Sequence, residues 1–232
     1  MARVLILSGG GRYSDPWHPF PTTSQIIASA LAEAGHEVEV SDRVEQRLCE
    51  LTPGSIDVLL TDIGNAAADN VEVPTWDEPD PERYATAMQN LVAYRDSGGG
   101  LVGVHVSATA WPDEPEWANF LGGRWVRGTT MHPPLGPASI EVIDRDHPVT
   151  TGVASFETED EKYTYLHVHD GVRVLAQHTY EGKPQPLVWA HETPAGGRVV
   201  YTALGHDEGA YEAPEVLRII GQGVDWVTAA RA

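Results

Sequence analysis

The sequence predicts a three-layer α/β fold, a mainly parallel sheet with helices on both faces, and three observations carry that prediction. Short apolar runs recur through the first hundred positions, each closing on glycine or a polar loop, as buried parallel strands do. Amphipathic stretches of crossover-helix length separate them. The resulting strand–helix alternation is that of a doubly wound sheet, whose right-handed crossovers place helices on both sides.

The elements follow in order. Val4–Leu7 is the first strand and runs into Ser8-Gly9-Gly10-Gly11 and a loop through His18. Thr22-Thr23-Ser24 offers N-caps for a helix with Ile26, Ile27, Ala30 and Leu31 on one face, closed by Gly35. Glu37–Val40 is the second strand, residues 43–51 a helix and Ile56–Leu60 the third strand. Residues 62–81 are acidic and turn-rich, and read as a long loop that could serve as a lid. A helix over Glu82–Ser97 is stopped by three glycines, and Leu101–Val104 is the fourth strand. The second half is richer in strands, at Ser139–Ile143, Val172–Ala176, Pro186–Ala190 and Arg198–Leu204, before a last helix over Ala213–Thr228. No linker or repeat divides the chain, so residues 1–232 read as a single domain.

Composition narrows the function. A net charge of −19, from 34 acidic and 15 basic residues, repels phosphate backbones and anionic lipid, which argues against nucleic-acid and membrane partners. The lone Cys49 excludes an intramolecular disulfide and lies in the helical run VEQRLCEL, where a structural thiol is expected. The apolar N-terminal run is too short for a signal h-region or a membrane span, which leaves a cytoplasmic location as the expectation. Self-association is compatible with the chain, and its subunit number is not fixed by sequence.

Two histidines stand out. His105 follows an apolar strand directly and is flanked two positions away by Gly103 and Ser107, the small residues a strained strand-to-helix elbow needs. Functional side chains of an open α/β sheet gather at the carboxyl ends of its strands, where His105 would stand. His206 closes a second apolar strand in Gly205-His206-Asp207-Glu208, and Glu208 could orient its imidazole. Two imidazoles with a carboxylate suit a divalent metal such as zinc, or a general acid/base pair. The structural alternatives are a hydrogen-bonded strand-end histidine and a polar turn capping the final helix. Glu161, in the acidic run Glu157–Tyr163, which reads as a loop, is the best further carboxylate, as metal ligand or base, although such a run can also be a solvated face. His18, in the loop after the first strand at the same end of the sheet, is a candidate for an auxiliary, substrate-binding role. His132 and His147 precede proline and read as turn residues, and His167 and His169 share a strand face with no further ligand close in sequence. Trp111, Trp117, Trp125, Tyr163 and Trp189 could line a sugar pocket or belong to the core, with Trp111 and Tyr163 taken as substrate-binding candidates. The triple glycine lacks the remainder of a phosphate loop.

Five segments together resemble the ThuA-like (trehalose utilization) family: Gly98–His105, Trp117–Gly123, Asp146–Gly152, Asp160–Tyr163 and Thr202–His206. They keep the family's order along nearly the whole chain. The resemblance implies a flavodoxin-like sandwich of the class I glutamine amidotransferase-like kind. In that pattern His105 falls on the nucleophilic cysteine, and His206 and Glu208 fall on the catalytic histidine and glutamate. An imidazole cannot form the acyl-enzyme that glutamine hydrolysis requires, so a conventional glutaminase is disfavoured. The family's association implies a sugar partner, a trehalose-type or oxidised keto sugar, handled by a hydrolase, lyase or isomerase with or without a metal. The alternative is a non-catalytic sugar-binding or regulatory protein on a degenerate amidotransferase scaffold.

Overall fold

Five successive buried positions give the first strand no solvent face, so it can only be an interior strand of a covered sheet. The computed structural model describes residues 1–65 and 75–229. In chain order its elements begin β1 (Arg3–Ser8), α1 (Phe20–Glu33), β2 (Glu37–Ser41), α2 (Val44–Glu50) and β3 (Val58–Asp62). Then come α3 (Pro81–Asp96), β4 (Gly100–Val104), α4 (Pro115–Leu121), β5 (Gly123–Arg124), β6 (Gly136–Val142) and β7 (Phe156–Asp160). The chain finishes with β8 (His167–Val168), β9 (Arg173–Tyr180), β10 (Lys183–Glu192), β11 (Arg198–Thr202) and α5 (Pro214–Thr228).

One nine-stranded mixed sheet has the order β2-β1-β3-β4-β11-β10-β9-β6-β7. The strands from β2 to β11 pair in parallel, and the rest pair antiparallel. From β1 the chain crosses outward to β2 and back to β3, so right-handed crossovers place α1 and α2 on opposite faces. α5 packs beside α1, burying a stripe of Val216, Ile219, Ile220, Gly223 and Val224 at helical spacing. α2 packs against α3, whose Tyr94 meets Phe120 of α4. β5 and β8 form a separate two-stranded ribbon.

The parallel alternation of the first half and the flanking helices are as the sequence predicts. Four local expectations are corrected. α1 begins at Phe20 with Pro19 at its N-cap, so Thr22–Ser24 are not caps. Thr23 and Ser24 are instead buried within the helix, where both hydroxyls donate to the Asp62 carboxylate at 2.7 and 2.8 Å. The acidic run expected as a loop is largely strand β7, with Glu161 just past its end. α4, β5 and β8 went unread. Of the loop expected over 62–81, Asp62 closes β3, Thr75–Asp77 is a 3-10 turn and Pro81 starts α3, while residues 66–74, and a lid formed from them, lie outside the described residues.

Because β1, β3, β4 and β11 run in parallel, the loops leaving their carboxyl ends share one side of the molecule. β7 is the last strand of the sheet, yet its end returns to that side. Thr158 Oγ1 donates to the Ala210 carbonyl at 3.1 Å, and the Gly205 amide donates to Asp160 at 2.8 Å. The antiparallel half thus delivers Glu161 to the loops of the parallel half.

Candidate metal centre

β4 ends in an elbow. His105 has a φ of 44°, a left-handed conformation that an L side chain adopts at a cost of about 1–3 kcal/mol. Packing and hydrogen bonds hold it there. A Cβ on Gly103 would lie 2.5 Å from Leu121 Cδ1 and push that side chain aside, so glycine lets the strand lie close against α4. The Ser107 hydroxyl donates to the Thr61 carbonyl at 2.7 Å, and Tyr201 donates its hydroxyl to the His105 carbonyl at 2.7 Å. The imidazole itself is fixed by Nδ1, which lies 2.7 Å from the Ala203 carbonyl. A carbonyl only accepts, so Nδ1 carries the proton and Nε2 is a bare lone pair.

The same logic applies to His18, on the loop after β1. Its Nδ1 faces both oxygens of Asp15 at 2.7 and 2.8 Å, and Asp15 also accepts from the backbone amides of Trp17 and His18 at 2.9 Å each. A carboxylate behind one ring nitrogen fixes the tautomer and leaves the other nitrogen as a lone pair, the arrangement that supports metal-bound histidines. His206 is aimed by Gly205, whose φ of 117° turns the chain at once after the strand and whose place a Cβ could not take, 2.6 Å from the Tyr211 hydroxyl.

Three imidazoles and one carboxylate converge. The available ligand atoms of His18, His105, Glu161 and His206 all lie within 4.8 Å of one another. Their rings stand 4.8 to 5.4 Å apart, centroid to centroid. His105 Nε2 and His206 Nδ1 face the same Glu161 oxygen at 3.5 and 3.3 Å. Three nitrogens, His18 Nε2, His105 Nε2 and His206 Nδ1, are buried without a hydrogen-bond partner. Burial pushes the His105 imidazole down to about 4, so at neutral pH its lone pair confronts a carboxylate. Burial also works to lower His206, but the Glu161 carboxylate outweighs it and raises that imidazole. Glu161 would be raised by burial and is held below the usual range, with the raised His206 imidazole beside it.

Lone pairs turned toward one another in a buried space are costly unless something positive sits among them. Ligand atoms of the right chemistry gathered within 4.8 Å of one another could hold a metal ion. Nitrogen-rich donors suit zinc and other first-row divalent ions better than calcium or magnesium.

His18 and Glu161 of the cluster line a cavity of about 780 Å³, together with Trp17, Trp125, Arg127, His132 and Tyr163 among others. Tyr163 stacks on His105 at 4.4 Å and meets Trp125 at 4.9 Å. The site residues expected from sequence divide here. His105, His206 and Glu161 come together, His18 joins them as a full member, and Tyr163 lines the cavity. Glu208 does not reach the cluster. Asp207 caps the following 3-10 turn through Gly209, which leaves Glu208 exposed, and Glu161 supplies the carboxylate instead. Trp111 is also absent from the cavity. It is 2% exposed, packs edge-on against Trp117 and donates to the Tyr13 hydroxyl at 2.9 Å. Trp117 and Trp189 are core, whereas Trp125 faces the cavity.

Sequence reasoning missed Asp15 and His132. The spacing Asp15-x-x-His18 was the available signal for the first. His132 lies 3.4 Å from Glu161 Oε1 on the cavity wall, and proline at position 133 disguised it as a turn residue. Cys49 is far in structure from the elbow chemistry, on α2 with its thiol against the Arg83 carbonyl and pushed up by burial.

The α/β scaffold carries a His/Glu cluster at the elbow after β4. The chain matches the ThuA family, described as trehalose utilisation, over residues 3–227, and it belongs to that family. A ThuA-like protein from Parabacteroides merdae ATCC 43184 superposes with a TM-score of 0.73 at 16% identity, covering 98% of this chain and 90% of that one. One from Bacteroides uniformis ATCC 8492 gives 0.70 at 18% identity, with 97% and 90% covered. A glutamine amidotransferase from Thermotoga maritima gives 0.59 at 9% identity over 98% of both chains, a likeness of fold alone. No curated protein matches the chain.

Proposed function

We propose that this protein is a metal-assisted enzyme of carbohydrate metabolism, acting on a trehalose-type or oxidised (keto) sugar at the His18/His105/Glu161/His206 cluster. The observation that carries the reading is the set of three buried, unpartnered imidazole nitrogens turned on one carboxylate, with His18 and Glu161 lining a cavity. A divalent ion held there would supply Lewis-acid polarisation of a substrate oxygen.

The chain's own residues account for the rest. Asp15 and the Ala203 carbonyl fix the tautomers of His18 and His105, so that both present lone pairs inward. Tyr163 and Trp125 give the cavity an aromatic wall suited to the apolar face of a sugar ring, and Trp17 stands exposed on the same cavity. Arg127, His132 and Asp113 supply polar partners for hydroxyl groups. The volume is within the roughly 300–1,000 Å³ common for small-molecule sites. No thiol stands at the elbow, so glutamine hydrolysis is not proposed. No helix among the described residues is long and apolar enough to cross a membrane, which is compatible with the proposed cytoplasmic setting.

The test is metal analysis of the purified protein, with titration of zinc, manganese and nickel, followed by assay of trehalose and its keto derivatives. Stoichiometric metal and turnover that chelation removes are expected. Absence of binding by any of the three ions sinks the metal reading. Sugar binding that survives His105→Ala and His206→Ala with no turnover in the wild type points instead to the non-catalytic alternative.

A further inference from the structure

Two of the four cluster residues come from segments with no direct strand pairing between them, the end of β7 and the turn after β11. Something must hold those segments in register to within a fraction of an ångström. One side chain touches both. Asp160 Oδ1 accepts from the Glu161 amide at 2.8 Å and from the His206 amide at 3.2 Å, while Oδ2 accepts from the Gly205 amide at 2.8 Å.

We propose that Asp160 is the positioning residue of the cluster, a buried carboxylate that clasps the backbones of Glu161 and His206 and thereby sets how their side chains approach a shared ion. It is fully buried, and among the described residues no lysine or arginine pairs with it. Backbone amides alone solvate it, and these are the amides of the two ligand-bearing residues and of the glycine that aims one of them. Successive amides converging on one anion form a nest, which fixes the φ/ψ angles of the turn as well as its position. Asp160 does not line the cavity, so its effect passes through Glu161 and His206.

The role rests on the metal reading above, and the experiment separates the two. Asp160→Asn keeps one acceptor oxygen and turns an NH2 toward an N–H donor, loosening one side of the clasp at constant volume. Cobalt(II) is titrated into wild type and variant at a temperature where circular dichroism shows both folded, and the visible cobalt bands report ligand geometry. A loss of about 10–100-fold in affinity with altered bands is expected, the scale of losing a partner behind a metal ligand. Wild-type affinity and unchanged bands in the folded variant overturn the proposal, whatever its melting temperature.

Hydrogen exchange on the wild type decides the matter even if the variant does not fold. The amides of Glu161, Gly205 and His206 are expected to be protected without metal and to slow further together when cobalt is added. Exchange of these three at the rate of an open chain overturns the clasp. Wild-type protein that takes up no cobalt sinks the metal reading, and slow exchange then marks Asp160 as structural only.

Discussion

The molecule buries two acidic clusters, and they are built in opposite ways. Beside α2, Glu45 is fully buried and meets Arg12, the Tyr13 hydroxyl at 2.9 Å and Arg83 at 2.9 Å, while nearby Asp77 takes the Arg12 amide. Guanidinium forks face these carboxylates and supply their counter-charge. At the elbow, Glu161 meets only imidazoles, and three of their nitrogens have no partner. The first cluster carries its own counter-charge, as structural ion pairs require: even Arg12 Nε and Asp77 Oδ1, which lack a hydrogen bond, lie 3.6 and 3.7 Å from an opposite charge. Among the described residues the second has no guanidinium or ammonium in it, and its unpartnered atoms are imidazole nitrogens turned on one carboxylate. Burial of charge therefore does not distinguish a site from a scaffold; convergent nitrogen donors without a resident cation do.

Substitutions can break that contrast. Removing a cluster ligand, by His105→Ala or Glu161→Ala, is expected to lower turnover by about 10²–10⁴-fold, the range for losing a positioned acid/base or metal-holding group, with metal affinity falling in step. Steady-state kinetics and metal titration check this, and the contrast fails if metal-free stability falls more than metal affinity does. Glu45→Ala should do the reverse. It strands Arg12 and Arg83 in a buried setting, at a cost of roughly 3–5 kcal/mol in denaturant unfolding, with metal affinity of the folded fraction unchanged.

Asp62 sharpens the comparison, as a buried carboxyl with hydroxyl partners only. Burial raises it from 3.8 to about 6, against the Thr23 and Ser24 hydroxyls that lower it. A group raised in the folded state contributes its stability at low pH and loses it as pH rises through the folded value. The unfolding free energy of wild type relative to Asp62→Asn should therefore decline by about 2 kcal/mol between pH 4 and 7, since each tenfold gain in proton affinity on folding is worth roughly 1.4 kcal/mol and part of the change lies below pH 4. A flat difference would show that Asp62 titrates normally. The smallest effect is expected from Tyr201→Phe, which removes the hydroxyl on the His105 carbonyl. About 1 kcal/mol of stability should go, with a measurable drop in metal affinity as the elbow loosens.

How far the sequence could be read follows the same division between self-sufficient and cooperative structure. β1, β3 and β4 are apolar on both faces, so each announces itself as an isolated run. β7 does not, because its inward positions are Thr158 and Asp160 rather than aliphatics, and the alternation of FETED is invisible to hydropathy. The seven residues of α4 are too few for a helical period to register. At the site, His105 and His206 were legible because each ends an apolar strand. His18 could be placed at the right end of the sheet, but its membership depends on the turn built around Asp15, a contact no periodicity encodes. Glu161 and Glu208 were both eligible carboxylates. The choice between them is made by the cap at Asp207 and by the return of β7 to the turn after β11, both tertiary facts.

The elbow is held by Gly103 against Leu121, by Ser107 on the Thr61 carbonyl and by Tyr201 on the main chain of residue 105. None of these contacts consults the side chain on display. Such a pedestal is indifferent to its cargo, so a change of chemistry there needs a single codon and not a rebuilt neighbourhood.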